Sequence, residues 1–237
     1  IVNEGTWIGS NVTIMEGARI GKNCRIFPGA VISAIPQDLK FDGEETIVKI
    51  GNNVTIREFV TINRGTKANT ETVIGNNCLL MAYVHIAHDC ILGNNVILAN
   101  AATLAGHIKI GDWAIVGGLA AVHQFVHIGI HSMVSGGSMV RKDVPPYVKA
   151  GREPLSFAGV NSIGLRRRGF PSEIINDIQE IYRFLFLKGL NVTQAVRYIE
   201  RNLTATFERD EILSFIANSQ RGIMKGYTRV RDRNLNS

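Results

Sequence analysis

The chain has 237 residues, of which 45% are hydrophobic and 19% are charged, a composition that excludes an intrinsically disordered protein. With 24 glycines in no collagen period, three cysteines and no apolar run of membrane-spanning length, it also excludes a collagen, a disulfide scaffold and a transmembrane helix. The net charge of +6 fits a solvated basic surface, an acidic protein partner or a phosphate-bearing ligand, whereas the scattered basic residues argue against nucleic acid.

A six-residue repeat begins near the N-terminus and continues to about Val140. Sampling every sixth residue from Val2 to Val140 gives isoleucine, leucine or valine at 21 of 24 positions. The residue four positions later is usually small or β-branched. This pattern predicts a parallel β-helix, in which three hexapeptides close one triangular coil of 18 residues.

The three cysteines fall in that small, inward slot of the repeat. They are Cys24, Cys78 and Cys90. We therefore expect buried thiols. An odd number of cysteines without paired spacing is typical of a cytoplasmic protein rather than a secreted one.

Two segments interrupt the repeat, at residues 34–45 and 67–71. We expect each to leave the scaffold at a corner as a loop. Loops carried by a rigid scaffold are where binding residues tend to lie, so both segments are candidates for the functional site.

The repeat ends near residue 143, and we predict a β-helix domain of residues 1–150 followed by an α-helical domain of residues 151–237. Ser172 is the predicted N-cap of a first helix that stops at Gly189. Asn191 and Gln194 form a predicted capping box for a second helix, and a third covers about 210–219. The simplest role for this domain is to cap the open end of the β-helix.

Coils of 18 residues place residues n and n+18 in one column, about 4.8 Å apart. The columns gather these turn residues: His88, Asp89, Gly106, His107, His123 and Gln124; His85 lies on the same coil as His88. An imidazole beside a carboxylate, with a glycine amide one coil away, has the parts of a general base and an oxyanion donor. Capping of backbone groups at corners is the alternative for any single histidine.

A second set of columns contains small residues, among them Ala82, Gly118 and Gly136. Such columns predict a shallow groove along the outside of the β-helix. An extended apolar chain, close packing of coils or another subunit could each account for it.

Zinc is the main alternative for the histidines. The candidates for a site between subunits, as in the hexapeptide-repeat carbonic anhydrases, are His107, His123, His127 and His131. Zinc needs three imidazoles that converge on one point, and these four lie in different turn slots. The sequence therefore predicts no metal.

Several longer motifs follow one another along the chain. They are Gln37-Asp38-Leu39-Lys40, His85-Ile-Ala-His88-Asp89-Cys90, Ile97-Leu-Ala-Asn100, Thr103-Leu-Ala-Gly106-His107, Ala121-Val-His123-Gln124-Phe125, Asp143-Val-Pro-Pro-Tyr147 and Gly159-Val-Asn161 through Arg167-Arg168-Gly169-Phe170. In this order and spacing they resemble the UDP-N-acetylglucosamine O-acyltransferases, which open bacterial lipid A synthesis.

The resemblance implies a homotrimer of left-handed parallel β-helices with active sites between subunits, and neither a metal nor a bound cofactor. The implied reaction transfers a 3-hydroxyacyl chain from acyl carrier protein to the glucosamine 3-hydroxyl of UDP-N-acetylglucosamine. It also implies that His88 is the general base, that Asp89 supports it electrostatically and that the Gly106 amide stabilises the oxyanion.

The resemblance further assigns residues to substrate binding. Those for the sugar, the diphosphate or the acyl chain are Asp38, Lys40, His85, His107, His123 and Gln124. Those for the nucleotide are Asn161, Arg167 and Arg168, whose guanidinium groups suit phosphate. Gly136 aligns with the residue that limits acyl-chain length, and a glycine there predicts a long chain. The chain departs from its relatives at Ile163, where an acidic residue is common, and at Asn63, where histidine is common.

Other functions remain open on the same scaffold. The related sugar-nucleotide N-acyltransferases carry an additional N-terminal uridine-binding domain, of which the sequence shows no sign. A CoA-dependent hexapeptide acetyltransferase does not share the long series of motifs. A carbonic anhydrase or a non-enzymatic scaffold leaves the column of His88, Gly106 and Gln124 without a purpose.

Overall fold

The computed structural model describes residues 1–226, and these residues form a parallel β-helix that ends in a small helical unit. The strands of the repeat are β1 (Trp7–Ile8), β2 (Thr13–Ile14), β3 (Ala18–Ile20), β4 (Arg25–Ile26), β5 (Val31–Ala34), β6 (Ile47–Ile50), β7 (Thr55–Ile56), β8 (Thr61–Asn63), β9 (Glu71–Ile74), β10 (Leu79–Leu80), β11 (His85–Ile86), β12 (Ile91–Leu92), β13 (Ile97–Leu98), β14 (Thr103–Leu104), β15 (Lys109–Ile110), β16 (Ile115–Val116), β17 (Ala121–Val122), β18 (His127–Ile128), β19 (Met133–Val134) and β20 (Met139–Val140). Each is short because the chain turns a corner after every hexapeptide.

Every third strand pairs in parallel, which produces three sheets, the faces of a prism. The first face runs β1-β4-β7-β10-β13-β16-β19, the second β2-β5-β8-β11-β14-β17-β20, and the third β3-β6-β9-β12-β15-β18. Leu79 lies opposite Ile97, and Ile97 lies opposite Ile115. This 18-residue register confirms the predicted hexapeptide β-helix.

The inward aliphatic side chains form the core of the prism. Ile86, Leu104 and Val122 stack in adjacent coils, each 3% exposed or less. Full burial of each such side chain contributes about 1.5–3 kcal/mol of hydrophobic free energy. The three cysteines are free and buried as expected, and burial raises the pKa of the Cys78 thiol to about 11 and that of Cys90 to about 12.

Both predicted interruptions leave the prism at one corner, between the second and third faces, which we name the loop corner. Val31 pairs with Thr61, 30 positions on, and Thr61 pairs with His85, 24 positions on. Since a regular coil takes 18 residues, the two loops add 12 and 6. They are residues 35–46 and 64–70, within one to three residues of the predicted limits.

The remaining corners carry different features. The helix corner lies between the third and first faces and includes Trp113 and His131. The glycine corner lies between the first and second faces and includes Gly118 and Gly136. A full face of the prism therefore separates any two of the three corners.

Up to residue 226, three strands and four helices follow the repeat. They are β21 (Val148–Gly151), β22 (Ser156–Val160), α1 (Ser162–Arg167), α2 (Ser172–Phe186), α3 (Val192–Asn202), α4 (Phe207–Ala217) and β23 (Lys225–Gly226). β21 extends the first face from β19, and β22 and β23 follow it. No helix in residues 1–226 is long and apolar enough to cross a membrane.

The helix ends confirm some predictions and correct others. The capping box of Asn191 and Gln194 is present at α3. The N-cap of α2 is Pro171, so the prediction of Ser172 was wrong, and that serine is the first helical residue. α2 ends at Phe186, ahead of Gly189.

The sequence did not predict β21, β22, β23 or α1. The predicted domain boundary at residues 150 and 151 falls within β21 and stays a prediction, and residues 227–237 of the predicted second domain lie outside the described part of the chain.

Candidate active site

A histidine and an aspartate form a nearly buried pair at the loop corner. His88 Nδ1 lies 2.9 Å from Asp89 Oδ2, and their side chains are 10% and 8% exposed. The corner folds sharply because Asp89 adopts φ of 58°, in the left-handed region that aspartate tolerates better than most residues. The turn thus directs both side chains out of the core and toward each other.

The Asp89 carboxylate is held by threonines on its other sides. Thr66 contacts Oδ2 through its hydroxyl, at 2.7 Å, and through its backbone N–H, at 3.2 Å. Burial alone would raise the pKa of Asp89, but hydrogen bonds from His88, Thr70 and Thr66 and the nearby His107 hold that pKa well below its usual range. Asp89 is therefore ionised at neutral pH.

An ionised carboxylate only accepts hydrogen bonds, which determines the tautomer of a neutral imidazole beside it. A neutral His88 that donates its Nδ1 proton to Asp89 has a free lone pair on Nε2. Nε2 lies 3.9 Å from Asp38 Oδ2 on the longer loop. The geometry presents the basic nitrogen toward the space between that loop and the neighbouring coil.

Gly106 lies one coil along from His88 and leaves no room for a side chain. A Cβ built there would overlap the imidazole of His88, standing 2.5 Å from Nε2. Within residues 1–226 the Gly106 amide has no hydrogen-bond acceptor. A free backbone donor beside a free imidazole nitrogen is the arrangement that an oxyanion-forming reaction requires.

His107 completes the cluster. Its ring meets the His88 ring edge-on at 5.0 Å and stacks on Phe125 at 4.9 Å, and its Nε2 lies 3.8 Å from Asp89 Oδ2. Burial lowers the pKa of His107, although Asp89 opposes this shift. The structure thus brings together His88, Asp89, Gly106, His107 and Asp38 at one corner.

The other residues predicted to bind sugar or acyl chain lie around this cluster. His85 Nδ1 is 2.7 Å from the Thr61 hydroxyl, and burial lowers the pKa of His85. Lys40 follows Asp38 and donates its backbone N–H to Asp38 Oδ1. The coil that follows Gly106 contributes His123, whose ring contacts the carbonyl of Gln124.

The predicted nucleotide residues lie elsewhere, at the helix corner. Asn161 donates from its side chain to the His131 carbonyl at 2.9 Å, and Arg168 donates to the Trp113 carbonyl at 3.0 Å while covering the indole ring. Arg167 is exposed at the end of α1. Within one chain these residues do not meet His88.

An aromatic stack supports this helix corner. The rings of Trp113, His131 and Tyr147 lie parallel in successive coils, 6.2 Å and 5.7 Å apart. Burial, followed by the positive charge of Arg168, lowers the pKa of His131 to about 4. The ring is therefore neutral at pH 7 and stacks without a charge beside Arg168.

One group of three residues within the described chain could hold a metal ion. The ligand atoms of His88, Asp89 and His107 lie within 4.8 Å of one another. Of the four histidines weighed as zinc ligands only His107 belongs to it, since His131 lies at the helix corner and His127 on the third face. A metal on His88 Nδ1 would displace the proton shared with Asp89. The absence of a metal stays a prediction, which metal analysis of the purified protein can test.

Gly136 lies exposed at the glycine corner, in the predicted groove. A Cβ at Gly136 would stand 3.0 Å from the Gly118 carbonyl oxygen and meet little else, so a side chain there would project into the groove after a small adjustment. Gly118 and Gly136, one coil apart in this column, therefore leave the outside of the corner free of side chains at these two positions.

We expect Gly136→Met to shorten the preferred acyl chain. A methionine side chain extends about 5 Å beyond Cα, roughly the length of four methylene groups, and would block the far end of the predicted groove if that groove holds the acyl chain. Competition among 3-hydroxyacyl donors of different length, read by mass spectrometry of the products, measures this preference. An unchanged donor profile in a folded Gly136→Met protein would disprove the limiting role of Gly136.

Comparison with known proteins identifies relatives along most of the chain. The family model described as UDP-N-acetylglucosamine O-acyltransferase, domain 2, matches residues 143–224, and the bacterial transferase hexapeptide model matches residues 1–34 and 71–106. A protein from Chlorobaculum parvum, named acyl-[acyl-carrier-protein]--UDP-N-acetylglucosamine O-acyltransferase, is 53% identical over 207 residues, covering 87% of this chain and 78% of its own. An Aquifex aeolicus protein of the same name is 52% identical over 201 residues, covering 84% and 77%.

Solved structures agree with the sequence relatives. A UDP-N-acetylglucosamine acyltransferase from Bacteroides fragilis superposes with a TM-score of 0.93 at 49% identity, covering 94% of this chain and 88% of its own. An Acinetobacter baumannii protein of the same family gives 0.85 at 41% identity, covering 93% and 88%. The likeness extends through both the β-helix and the helical unit.

Proposed function

The chain belongs to the UDP-N-acetylglucosamine O-acyltransferase family, and from that premise we propose how its own residues perform the reaction. The enzyme transfers an acyl chain from acyl carrier protein to UDP-N-acetylglucosamine in lipid A synthesis. The acyl chain is a 3-hydroxyacyl group and the acceptor is the 3-hydroxyl of the glucosamine.

In this mechanism His88 acts as the general base. Its Nε2 takes the proton of the sugar 3-hydroxyl while that oxygen attacks the thioester carbonyl. The carbonyl oxygen becomes an oxyanion, to which the Gly106 amide donates. Collapse of this intermediate breaks the carbon–sulfur bond, and the departing thiolate of the carrier takes the proton from His88.

The observation that carries this proposal is the His88–Asp89 hydrogen bond of 2.9 Å beside the free Gly106 amide. Asp89 orients the ring and offsets the positive charge that His88 acquires. A positioned general base contributes about 10²–10⁴ in rate, and an oxyanion donor about 10²–10³.

Substrate binding involves both the loop corner and the helix corner, which favours a homotrimer. The loop corner supplies Asp38, Lys40, His85, His107, His123 and Gln124 to the sugar, the diphosphate and the acyl chain. The helix corner supplies Asn161, Arg167 and Arg168 to the nucleotide. Because a whole face separates these corners in one chain, we propose that the loop corner of one subunit meets the helix corner of its neighbour around a threefold axis.

The net charge and the cysteines support the remaining proposals, on the partners and the location of the protein. The net charge of +6 suits both an acidic carrier protein and a diphosphate. Three free, buried thiols favour a cytoplasmic location.

A product assay tests the proposed function. Purified protein would be mixed with UDP-N-acetylglucosamine and a 3-hydroxyacyl thioester of either acyl carrier protein or CoA. We expect an O-acylated sugar nucleotide from the carrier-protein donor, with the ester on the 3-oxygen. A preference for the CoA thioester would contradict the proposal in favour of a CoA-dependent acetyltransferase. No ester from either donor would contradict it in favour of another acceptor sugar, such as one with the free amine that an N-acyltransferase needs.

A further inference from the structure

The shorter loop at the loop corner packs against Asp89. Thr66, in this loop, is 6% exposed, and both its hydroxyl and its N–H point at the same oxygen, Asp89 Oδ2. The two residues are 23 positions apart, so no local turn accounts for the contact. The repeat resumes its 18-residue register directly after the loop, which means that coil closure does not need the inserted residues.

We propose that Thr66 is a positioning residue that keeps Asp89 directed at His88, an inference that rests on the proposed function. The Thr66 hydroxyl can only donate to an ionised carboxylate, and at 2.7 Å it makes a charge-assisted hydrogen bond. Held in this way, Oδ2 accepts the Nδ1 proton of His88. The base then keeps its free lone pair on Nε2, where the substrate hydroxyl arrives.

Competition within the cluster explains why Asp89 needs this support. The His107 Nε2 lies 3.8 Å from the same Oδ2 atom, close enough to form a hydrogen bond after a small rotation of the carboxylate. Such a rotation would draw Oδ2 away from His88 Nδ1. Thr66 opposes it from the side of the shorter loop.

Kinetics of three variants test this role. Thr66→Val keeps the shape of the side chain but lacks the hydroxyl, and we expect kcat to fall about tenfold with KM for UDP-N-acetylglucosamine unchanged. Thr66→Ser restores the hydroxyl and should return kcat to within about twofold of the wild type. The matched control is Thr46→Val, because Thr46 is equally buried and its hydroxyl has no hydrogen-bond partner in residues 1–226. It should keep full kcat.

A double-mutant cycle separates positioning from general stability. If Thr66 acts through Asp89, Thr66→Val should change kcat less than about twofold in an Asp89→Asn background. A tenfold loss that persists there, or a Thr66→Ser protein as slow as Thr66→Val, would overturn the inference. Either result could occur with an active wild type and an inactive His88→Ala, so the inference can fail while the proposed function stands.

Discussion

Replacing His88 with alanine should reduce kcat by about 10²–10⁴ while the β-helix stays folded. The variant loses the group that accepts the proton of the sugar hydroxyl, so the oxygen must attack while still protonated. His88 lies in a turn rather than in the column of inward aliphatic side chains, and its removal creates no cavity in the core. KM for the sugar nucleotide should change far less than kcat.

A second histidine serves as the control for this prediction. His127→Ala removes a ring from the third face, outside the cluster, and should leave kcat within about twofold. Steady-state rates and thermal melting of the two variants would be compared with the wild type. If folded His88→Ala kept most of its kcat, the assignment of the general base would be wrong.

Gly106→Ala should cost about 100-fold or more in kcat, the second largest effect that we expect. The added methyl group would overlap the His88 ring at Cε1 and stand 2.5 Å from Nε2. The backbone at Gly106 accepts a hydrogen bond from Phe125 of the next coil, so the ring must move rather than the chain. The displaced ring would lose its alignment with Asp89 and with the substrate.

Steric strain between coils needs its own control in that experiment. A Cβ at Gly75 would overlap the carbonyl oxygen of Gly93, which imposes a comparable conflict far from His88. Gly75→Ala should therefore destabilise the protein but keep kcat per folded molecule. Equal activity in folded Gly106→Ala and wild type would contradict the placement of Gly106 against the base.

The periodic part of this protein could be predicted almost completely from its sequence. A closed coil directs two positions of each hexapeptide inward, one that takes an aliphatic side chain and one that takes a small or β-branched side chain, so the pattern determines the strands and columns. The column rule, by which residues n and n+18 lie next to each other in adjacent coils, correctly placed His88 beside Gly106 and Asp89 beside His107.

The inserted loops could not be predicted in the same way. The column rule does not apply to residues outside the repeat, so neither the Thr66–Asp89 contact nor the 3.9 Å approach of Asp38 to His88 could be derived from spacing. The one available signal was the length of the shorter loop, a single hexapeptide at the corner of the site. The predicted N-cap at Ser172 was wrong because Pro171, with φ of −59° and ψ of 152°, already takes the extended conformation of a cap residue.

The part of the site to which the nucleotide residues contribute could not be predicted for a different reason. Motif resemblance assigned Asn161 and Arg168 to the nucleotide part of the same substrate whose sugar lies at the loop corner, yet both make hydrogen bonds at the helix corner of the same chain. Their proposed role depends on which corner of a neighbouring subunit lies opposite. Neither the sequence nor the structure of one chain shows which corners lie opposite each other in an oligomer.

We expect each active site to combine the loop corner of one subunit with the helix corner of another, and mixed trimers can show whether it does. His88→Ala chains and Arg167→Ala chains would be co-expressed with different tags, and trimers that contain both would be purified and assayed at low UDP-N-acetylglucosamine. Every mixed trimer then has one site in three with both native residues, so we expect about a third of wild-type activity, although each variant alone is nearly inactive. Mixed trimers no more active than the two parent variants would contradict the claim and place both residues of each site on one chain.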